Sequence, residues 1–526
     1  MDIHPGDTIL TNKHSEFRNP FWLVLLTLAI VLACMLDYVT TRLTKKAKLA
    51  NKIPGAPLTY VPFIGNVGYF VFRTNLKEAI TDYLEKYGRV CRLWKFGLPI
   101  IFIGEGKAAE TLLHNADLYE KGDDNWAVKE FLGNGLVTGS GLKVRHERKL
   151  LNPGFNRQLF DGFLDVFNKE SRKLLEILDN KFKNLQQTSH MNIHPDILRC
   201  SLEIVFQTSL GKEMHIQNEG ETKGFVEAFA IGSRGMHLRF FKPWMTLPII
   251  IDILGIRKEE EECMKFIRTA ILGALYDRRD ARQNGTVISS EGKTKPFIDV
   301  LLDVAGDNFS EQDFFDHLIS IVGAGSDTIS NAINFSLFLM ANYPEYQKRV
   351  HEEIDAVFWG EMDRDVTMAD LAELRYLEMC LKESLRIYPP IPLMSRKMLF
   401  NVKLENGLTL PKGSDAVFLI YDVHRDPAIF PDPEVYDPER FAPDAAASRS
   451  QGCFIPFGTG LRNCIGQKFA LMEARVVLAH LLRHFEVSSP QRQTDIKFLY
   501  GVPVEPHPSI KLHLKRRSAQ AANKEE

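Results

Sequence analysis

The residues best suited to chemistry lie near the C-terminal end, in the run Phe457-Gly458-Thr459-Gly460-Leu461-Arg462-Asn463-Cys464-Ile465-Gly466. A glycine-rich turn carries one arginine and one cysteine, and an apolar helix is predicted directly behind it, from Gln467 to about Phe485. The glycines let the backbone pass close to a bulky flat ligand and keep side chains off the sulfur. Cys464 sits at the start of that helix, where unpaired N–H groups and the helix dipole favour a thiolate over a thiol. Such a thiolate suits an axial ligand of haem iron, where it pushes electron density toward O–O cleavage. Arg462 is placed to partner a haem propionate. The bland alternative is a buried structural cysteine beside a turn, the common fate of a lone cysteine.

A second constellation is Ala324-Gly325-Ser326-Asp327-Thr328. Small residues at 324 and 325 allow a flat cofactor and a diatomic ligand to lie against a helix backbone. The carboxylate and hydroxyl beside them can open the helical ladder and carry protons. The competing reading is a packing glycine with a back-bonded threonine. The element that positions this run is a long helix opening at Ser310-Glu311-Gln312-Asp313, a capping-box-like start, and continuing to about Asn342 before Pro344. It would be roughly 48 Å long. A helix apolar on most faces over that length must cross the interior.

Composition bounds the rest. The chain has 526 residues, 45% hydrophobic, with no linker or repeat interrupting the middle, so one large catalytic domain is expected. A formal charge of −2 and a pI near 6.8 give no case for nucleic-acid binding. The seven cysteines are scattered with no CxxC pair, which argues against a disulfide framework or a zinc site. Residues 1–20 read as a short lumenal segment and 21–39 as a transmembrane signal anchor with Trp22 at one interface. Arg42, Lys45, Lys46, Lys48 and Lys52 follow it, which keeps the bulk of the chain cytosolic by the positive-inside rule. Residues 40–57 form a basic, proline-rich connector, 58–514 the catalytic domain and 515–526 a charged, disordered tail. Cys91–Trp94 and Pro99–Ile103 read as a strand pair turning at Gly97.

The cysteine run resembles the signature Phe-x-x-Gly-x-Arg-x-Cys-x-Gly of the cytochrome P-450 superfamily, with every fixed position filled. The 324–328 run resembles that family's oxygen-activation segment. Glu383-Ser384-Leu385-Arg386 and Pro438-Glu439-Arg440-Phe441 resemble its Glu-x-x-Arg and Pro-Glu-Arg-Phe pair. Arg462 to Ala470, Arg148 to Leu151 and His424-Arg425-Asp426-Pro427 are similar to the microsomal branch that contains fatty-acid ω-hydroxylases, family 4.

The resemblance implies a mainly α cytochrome P-450 fold with a small β-sheet region. It implies haem b held by Cys464, with Phe457, Gly458, Gly466, Ala324 and Gly325 against it and Arg462, Arg148 and Arg396 on its propionates. Thr328 would hydrogen-bond the bound oxygen and Asp327 relay protons. Glu383, Arg386 and Arg440 would lock the haem-side fold. O2 is the co-substrate, and electrons come from NADPH through NADPH-cytochrome P-450 reductase, with cytochrome b5 as a further donor. The expected activity is a monooxygenase acting on a lipophilic fatty acid, sterol or xenobiotic, at the endoplasmic reticulum membrane. Substrate contacts are expected from Lys121 to Thr138, from the aromatic 225–254 region, from Ile391 to Met394 and from Tyr500 to Val504. Two departures stand out. Val144 replaces the tryptophan that relatives carry four residues before Arg148. Ala324 replaces a glutamate that, in many ω-hydroxylases, becomes ester-linked to haem. The alternatives are a haem-thiolate isomerase or dehydratase of lipid peroxides, which needs no proton relay, and a haem-binding sensor without turnover.

Overall fold

The computed structural model describes residues 20–58, 65–66, 68–71, 75–152, 155, 157–183, 189–218, 223–285, 295–305 and 309–517. The first helix, Pro20–Tyr38, runs through a π-helical turn, Val39–Leu43, into a short helix, Lys45–Ala50. The 22-residue stretch Trp22–Leu43 is long and apolar enough to cross a membrane, and its large apolar side chains stand exposed. The basic half of the connector is therefore helical, and it is docked. Thr44 caps Lys45–Ala50 by accepting the Ala47 N–H at 3.0 Å. Asn51 donates to the Thr41 carbonyl at 2.9 Å and accepts the Trp94 indole N–H at 3.2 Å. Only Ile53–Leu58 is extended, as its prolines require.

The main sheet has four strands: β1 (Val90–Lys95), β2 (Leu98–Ile103), β3 (Leu393–Lys397) and β4 (Asp415–Leu419), in the order β1-β2-β4-β3. Gly97, at φ +74°, turns β1 into β2. β4 runs parallel to β2 and antiparallel to β3, pairing Arg396 with Ala416. This register carries Arg396 into the interior, where it is 2% exposed.

Helix supplies the rest of the core. The central helix spans Glu311–Asn342, 32 residues, and its capping box is present: Ser310 Oγ accepts the Asp313 N–H while Asp313 accepts the Ser310 N–H. It packs against the helices His194–Leu210, Arg375–Ile387 and Gln467–His484. Phe335, Phe338, Leu381, Leu478 and Leu482 meet in one buried cluster there. Each such side chain contributes about 1.5–3 kcal/mol on burial.

Glu383 and Arg386 share one face of the helix Arg375–Ile387, and both side chains are fully buried. Glu383 accepts from Arg386 Nε at 2.7 Å and Nη2 at 2.8 Å, and from the Asp437 N–H at 2.9 Å. Arg386 also donates to the carbonyls of His424, Pro433 and Val435. Arg440 completes the expected trio more loosely, its Nε 3.5 Å from Glu383.

The C-terminal boundary needs correction. His513–Arg516 is a strand paired antiparallel with Phe485–Ser488, so Lys515 and Arg516 belong to the domain. The charges that suggested a tail are paired: Arg516 with Asp179 at 2.5 Å and Arg517 with Asp355 at 2.6 Å. Residues 1–19 and 518–526 lie outside the described residues.

Candidate active site

The cysteine run folds into a closed loop. The Cys464 N–H donates to the Phe457 carbonyl at 2.8 Å, Gly458 to Ile455 at 3.0 Å and Asn463 to Gly460 at 3.2 Å. Gly458 and Gly460 adopt φ of +66° and +73°. That conformation costs other residues roughly 1–2 kcal/mol. A Cβ on Gly460 would also lie 2.0 Å from the Leu113 carbonyl oxygen, so glycine is required there on two grounds. A Cβ on Gly466 would sit 3.9 Å from Cys464 Sγ, an ordinary contact. Gly466 contributes its N–H, which bonds to the sulfur.

Cys464 opens onto a cavity of about 390 Å³ that is also lined by Phe457, Ala324, Gly325, Asp327 and Thr328. Cys464 has exposed surface, and it lines this cavity. Burial pushes the thiol pKa up, against the Gly466 N–H and the charges of Arg148 and Lys121. A metal ion at the sulfur is what would drive the proton off.

The expected wall segments are in place. They supply Val128 and Leu136, Met236 and Phe240, Ile391 and Met394, and Val502. The sequence reading missed Val205, Thr208 and Ser209 from the helix His194–Leu210, which carry no local signal beyond an ordinary core pattern. Gly325 owes its size to that same helix, because a Cβ would come 3.1 Å from Val205 Cγ2.

Two guanidiniums line the cavity, those of Arg148 and Arg462, and that of Arg396 is buried beside Arg462. Arg148 donates to the Asn463 carbonyl and, at 3.2 Å, to its side-chain oxygen. Arg462 donates to the carbonyls of Leu136 at 3.1 Å and of Gly139. Arg396 donates to the carbonyls of Ser395 at 2.8 Å and Arg462 at 3.4 Å. Burial, then Arg462 and Arg148, lower the Arg396 pKa to about 9. Lys121, which the sequence reading placed only among substrate contacts, joins them. Its pKa falls well below the usual range through burial, Arg396 and Arg462, with Asp124 the one opposing charge. Asp124 is itself bonded to Ser395. The Nε atoms of Arg148 and Arg462 are buried and have no partner among the described residues. A group of enclosed cations facing one carboxylate is unfavourable unless an anion completes it. Haem b fits on both counts: an apolar plane for the cavity wall beside a thiol, and two carboxylates for the cations.

Asp327 and Thr328 sit midway along the central helix. Thr328 Oγ1 donates to the Ala324 carbonyl at 2.8 Å, the back-bonded arrangement, and the helix remains continuous through the segment. Asp327 accepts a hydrogen bond from Ser233 Oγ at 3.3 Å. Burial raises its pKa to about 6; Ser233 opposes this and the charge of Glu505 adds to it. A carboxyl poised near neutrality is suited to proton transfer.

A mainly helical domain that presents a looped cysteine and a central Asp-Thr pair to one apolar cavity, with cations gathered for a dianion, has the parts of a haem-thiolate oxygenase. The model of the family "Cytochrome P450" matches residues 54–512, and the chain belongs to that family. It is 31% identical to Cytochrome P450 4V2 of Rattus norvegicus over 90% of this chain and 91% of the relative. It is 29% identical to Cytochrome P450 4c3 of Drosophila melanogaster over 97% and 98%, and 32% identical to Cytochrome P450 4c21 of Blattella germanica over 91% and 97%. The protein is thus a cytochrome P450 monooxygenase whose cofactor is haem iron with a cysteine thiolate, using O2 and NADPH-derived electrons. As in the family generally, it works with a redox partner on lipophilic substrates.

Proposed function

We propose that the protein is an endoplasmic-reticulum monooxygenase that hydroxylates a lipophilic molecule, with a fatty acid the first candidate and sterols and xenobiotics behind it. The observation that carries this reading is the single cavity, walled by Phe131, Phe229, Phe240 and Leu393, that Cys464 shares with Ala324 and Thr328. An apolar chain lying there is held by burial alone and has no polar partner to orient most of its length.

Cys464 is the iron ligand in this reading. Arg462, Arg396 and Arg148, joined by Lys121, hold the propionates. Phe457, Gly458 and Gly466 support the haem on the cysteine side, while Ala324 and Gly325 leave room on the other. The bound haem supplies oxygen activation. The chain's residues orient the substrate, exclude water and move protons: Asp327 takes a proton at its carboxyl and passes it toward Thr328 Oγ1. Val144 has no donor and is buried against Gly139, so Lys121 stands in for the indole N–H that relatives place nearby. Ala324 has no carboxylate, so no ester to haem forms from it. The anchor 21–39 holds the domain to the membrane with its bulk in the cytosol. Exposed Arg145, His146 and Lys149 receive NADPH-cytochrome P-450 reductase, and cytochrome b5 uses the same charge complementarity.

Membranes carrying the protein and the reductase, supplied with NADPH and a medium-chain fatty acid, a sterol or a lipophilic drug, test this reading by mass spectrometry of the products. NADPH-dependent addition of one oxygen atom to the fatty acid is expected. Oxidation of only the sterol or drug would overturn the fatty-acid assignment, and rearrangement of a lipid peroxide without NADPH would replace it with isomerase chemistry.

A further inference from the structure

Asp327 has to be reprotonated in every turnover, because monooxygenation releases one oxygen atom of O2 as water and consumes two protons. Asp327 is half-buried and lines the cavity. Its carboxyl accepts a hydrogen bond from outside the central helix, from Ser233 Oγ at 3.3 Å. Ser233 lies on Lys223–Phe241, a helix that contributes Phe229, Met236 and Phe240 to the cavity wall and so covers the substrate.

We infer that Ser233 is a positioning residue for proton delivery: it aligns the Asp327 carboxyl and links it to a route running along the covering helix toward Glu505. This rests on Asp327 acting as the proton relay, as proposed above. His237 follows Ser233 by four residues and so shares its helix face. His237 is half-buried, and Glu505, on the strand Glu505–His507, is exposed. The charge of Glu505 acts on both Asp327 and His237. His237 Nδ1 lies 3.5 Å from where a Cβ on Gly501 would stand, which places it beside the segment that leads to Glu505. On the opposite side His194 contacts Ser330 at 3.3 Å, and Ser330 and Asn331 engage the Asp327 carbonyl, not its carboxyl.

The transfer balances without a further reagent. The Ser233 hydroxyl hydrogen moves to Asp327 Oδ2 as Ser233 Oγ accepts a proton from the solvent side, and Asp327 releases its other proton toward Thr328. Because the donor sits on the covering helix, displacing that helix breaks the link, so delivery is complete only when the substrate is covered.

The test uses the full-length holoenzyme with Ser233→Ala, Ser233→Thr, Glu505→Gln and Asp327→Asn. The first readout needs no substrate: an infrared pH titration of the carboxyl band that Asp327→Asn abolishes. Ser233→Ala should move its midpoint upward by about one pH unit, since a hydrogen bond to the ionised form is lost. Ser233→Thr should restore it, and Glu505→Gln should move it downward. The second readout is turnover of whichever test compound above is oxidised, where Ser233→Ala should cost roughly tenfold with an enlarged solvent deuterium isotope effect, while Ser233→Thr recovers both. An unchanged midpoint and isotope effect in Ser233→Ala, with Asp327→Asn impaired, would overturn the role of Ser233 and leave the relay standing. An unimpaired Asp327→Asn would overturn both. Should Ser233→Ala not hold haem, Ser233→Thr and Glu505→Gln decide alone: a midpoint unmoved by Glu505→Gln refutes the route.

Discussion

Replacing Glu383 with alanine leaves the Arg386 guanidinium, which is fully buried, without a counter-charge. The mutation removes two charge-assisted bonds of 2.7 and 2.8 Å and leaves the Asp437 N–H unsatisfied. Three carbonyl acceptors remain on Arg386, at 2.8 to 3.2 Å, but they supply only partial charges. Stranding one member of a buried ion pair costs about 3–5 kcal/mol, a large share of the roughly 5–15 kcal/mol that holds a folded domain together. Urea unfolding followed by tryptophan fluorescence should show that loss, and Arg440→Ala should cost only about 1 kcal/mol, its contact being longer and partly exposed. The double variant Glu383→Ala/Arg386→Met should be less destabilised than the sum of the single variants, because it removes the stranded charge. A Glu383→Ala protein within about 1 kcal/mol of the parent would refute the claim that this pair locks the fold.

Gly460→Ala should destabilise the cysteine loop by at least about 2 kcal/mol, from left-handed strain and the clash with Leu113, and be seen as faster haem loss. Lys121→Met should act in opposite directions on two states: the apoprotein, relieved of a crowded cation, gains thermal stability, while haem transfer to apomyoglobin speeds up roughly ten- to hundredfold. Desolvation works to raise the Asp313 pKa, but Lys143 and Ser310 prevail and hold it at about 2, below the ordinary 3.8. Discounted for solvent screening, its stabilisation is about 1 kcal/mol, complete above the unfolded pKa and lost as pH falls through the folded one. Acid unfolding of Asp313→Asn should lack that component between pH ~4 and ~2.

The parts of the site that were legible in the sequence are those built from local backbone. The cysteine loop needs two left-handed glycines and a helix start, so its geometry is written into consecutive residues. The capping box of the central helix and the turn at Gly97 are legible for the same reason. Groups that act through space are not. Lys121 joins a cluster of cations only because β3, the helix Gly141–Leu151 and the turn at Arg462 bring three guanidiniums near it. Ser233 and Asp327 lie 94 positions apart in the chain, and the neighbourhood of Ser233 reads as an ordinary apolar helix. Lys515 and Arg516 looked like a solvated tail because their partners, Glu486 and Asp179, are distant in the chain.

The most direct test of the haem-thiolate assignment is the absorption spectrum of the reduced, carbon monoxide-treated Cys464→Ser protein beside the parent. The parent should give the red-shifted Soret band of a thiolate-ligated haem, and Cys464→Ser should lack it, whether or not haem is retained. A Cys464→Ser protein that keeps the red-shifted band would contradict the assignment of Cys464 as the iron ligand.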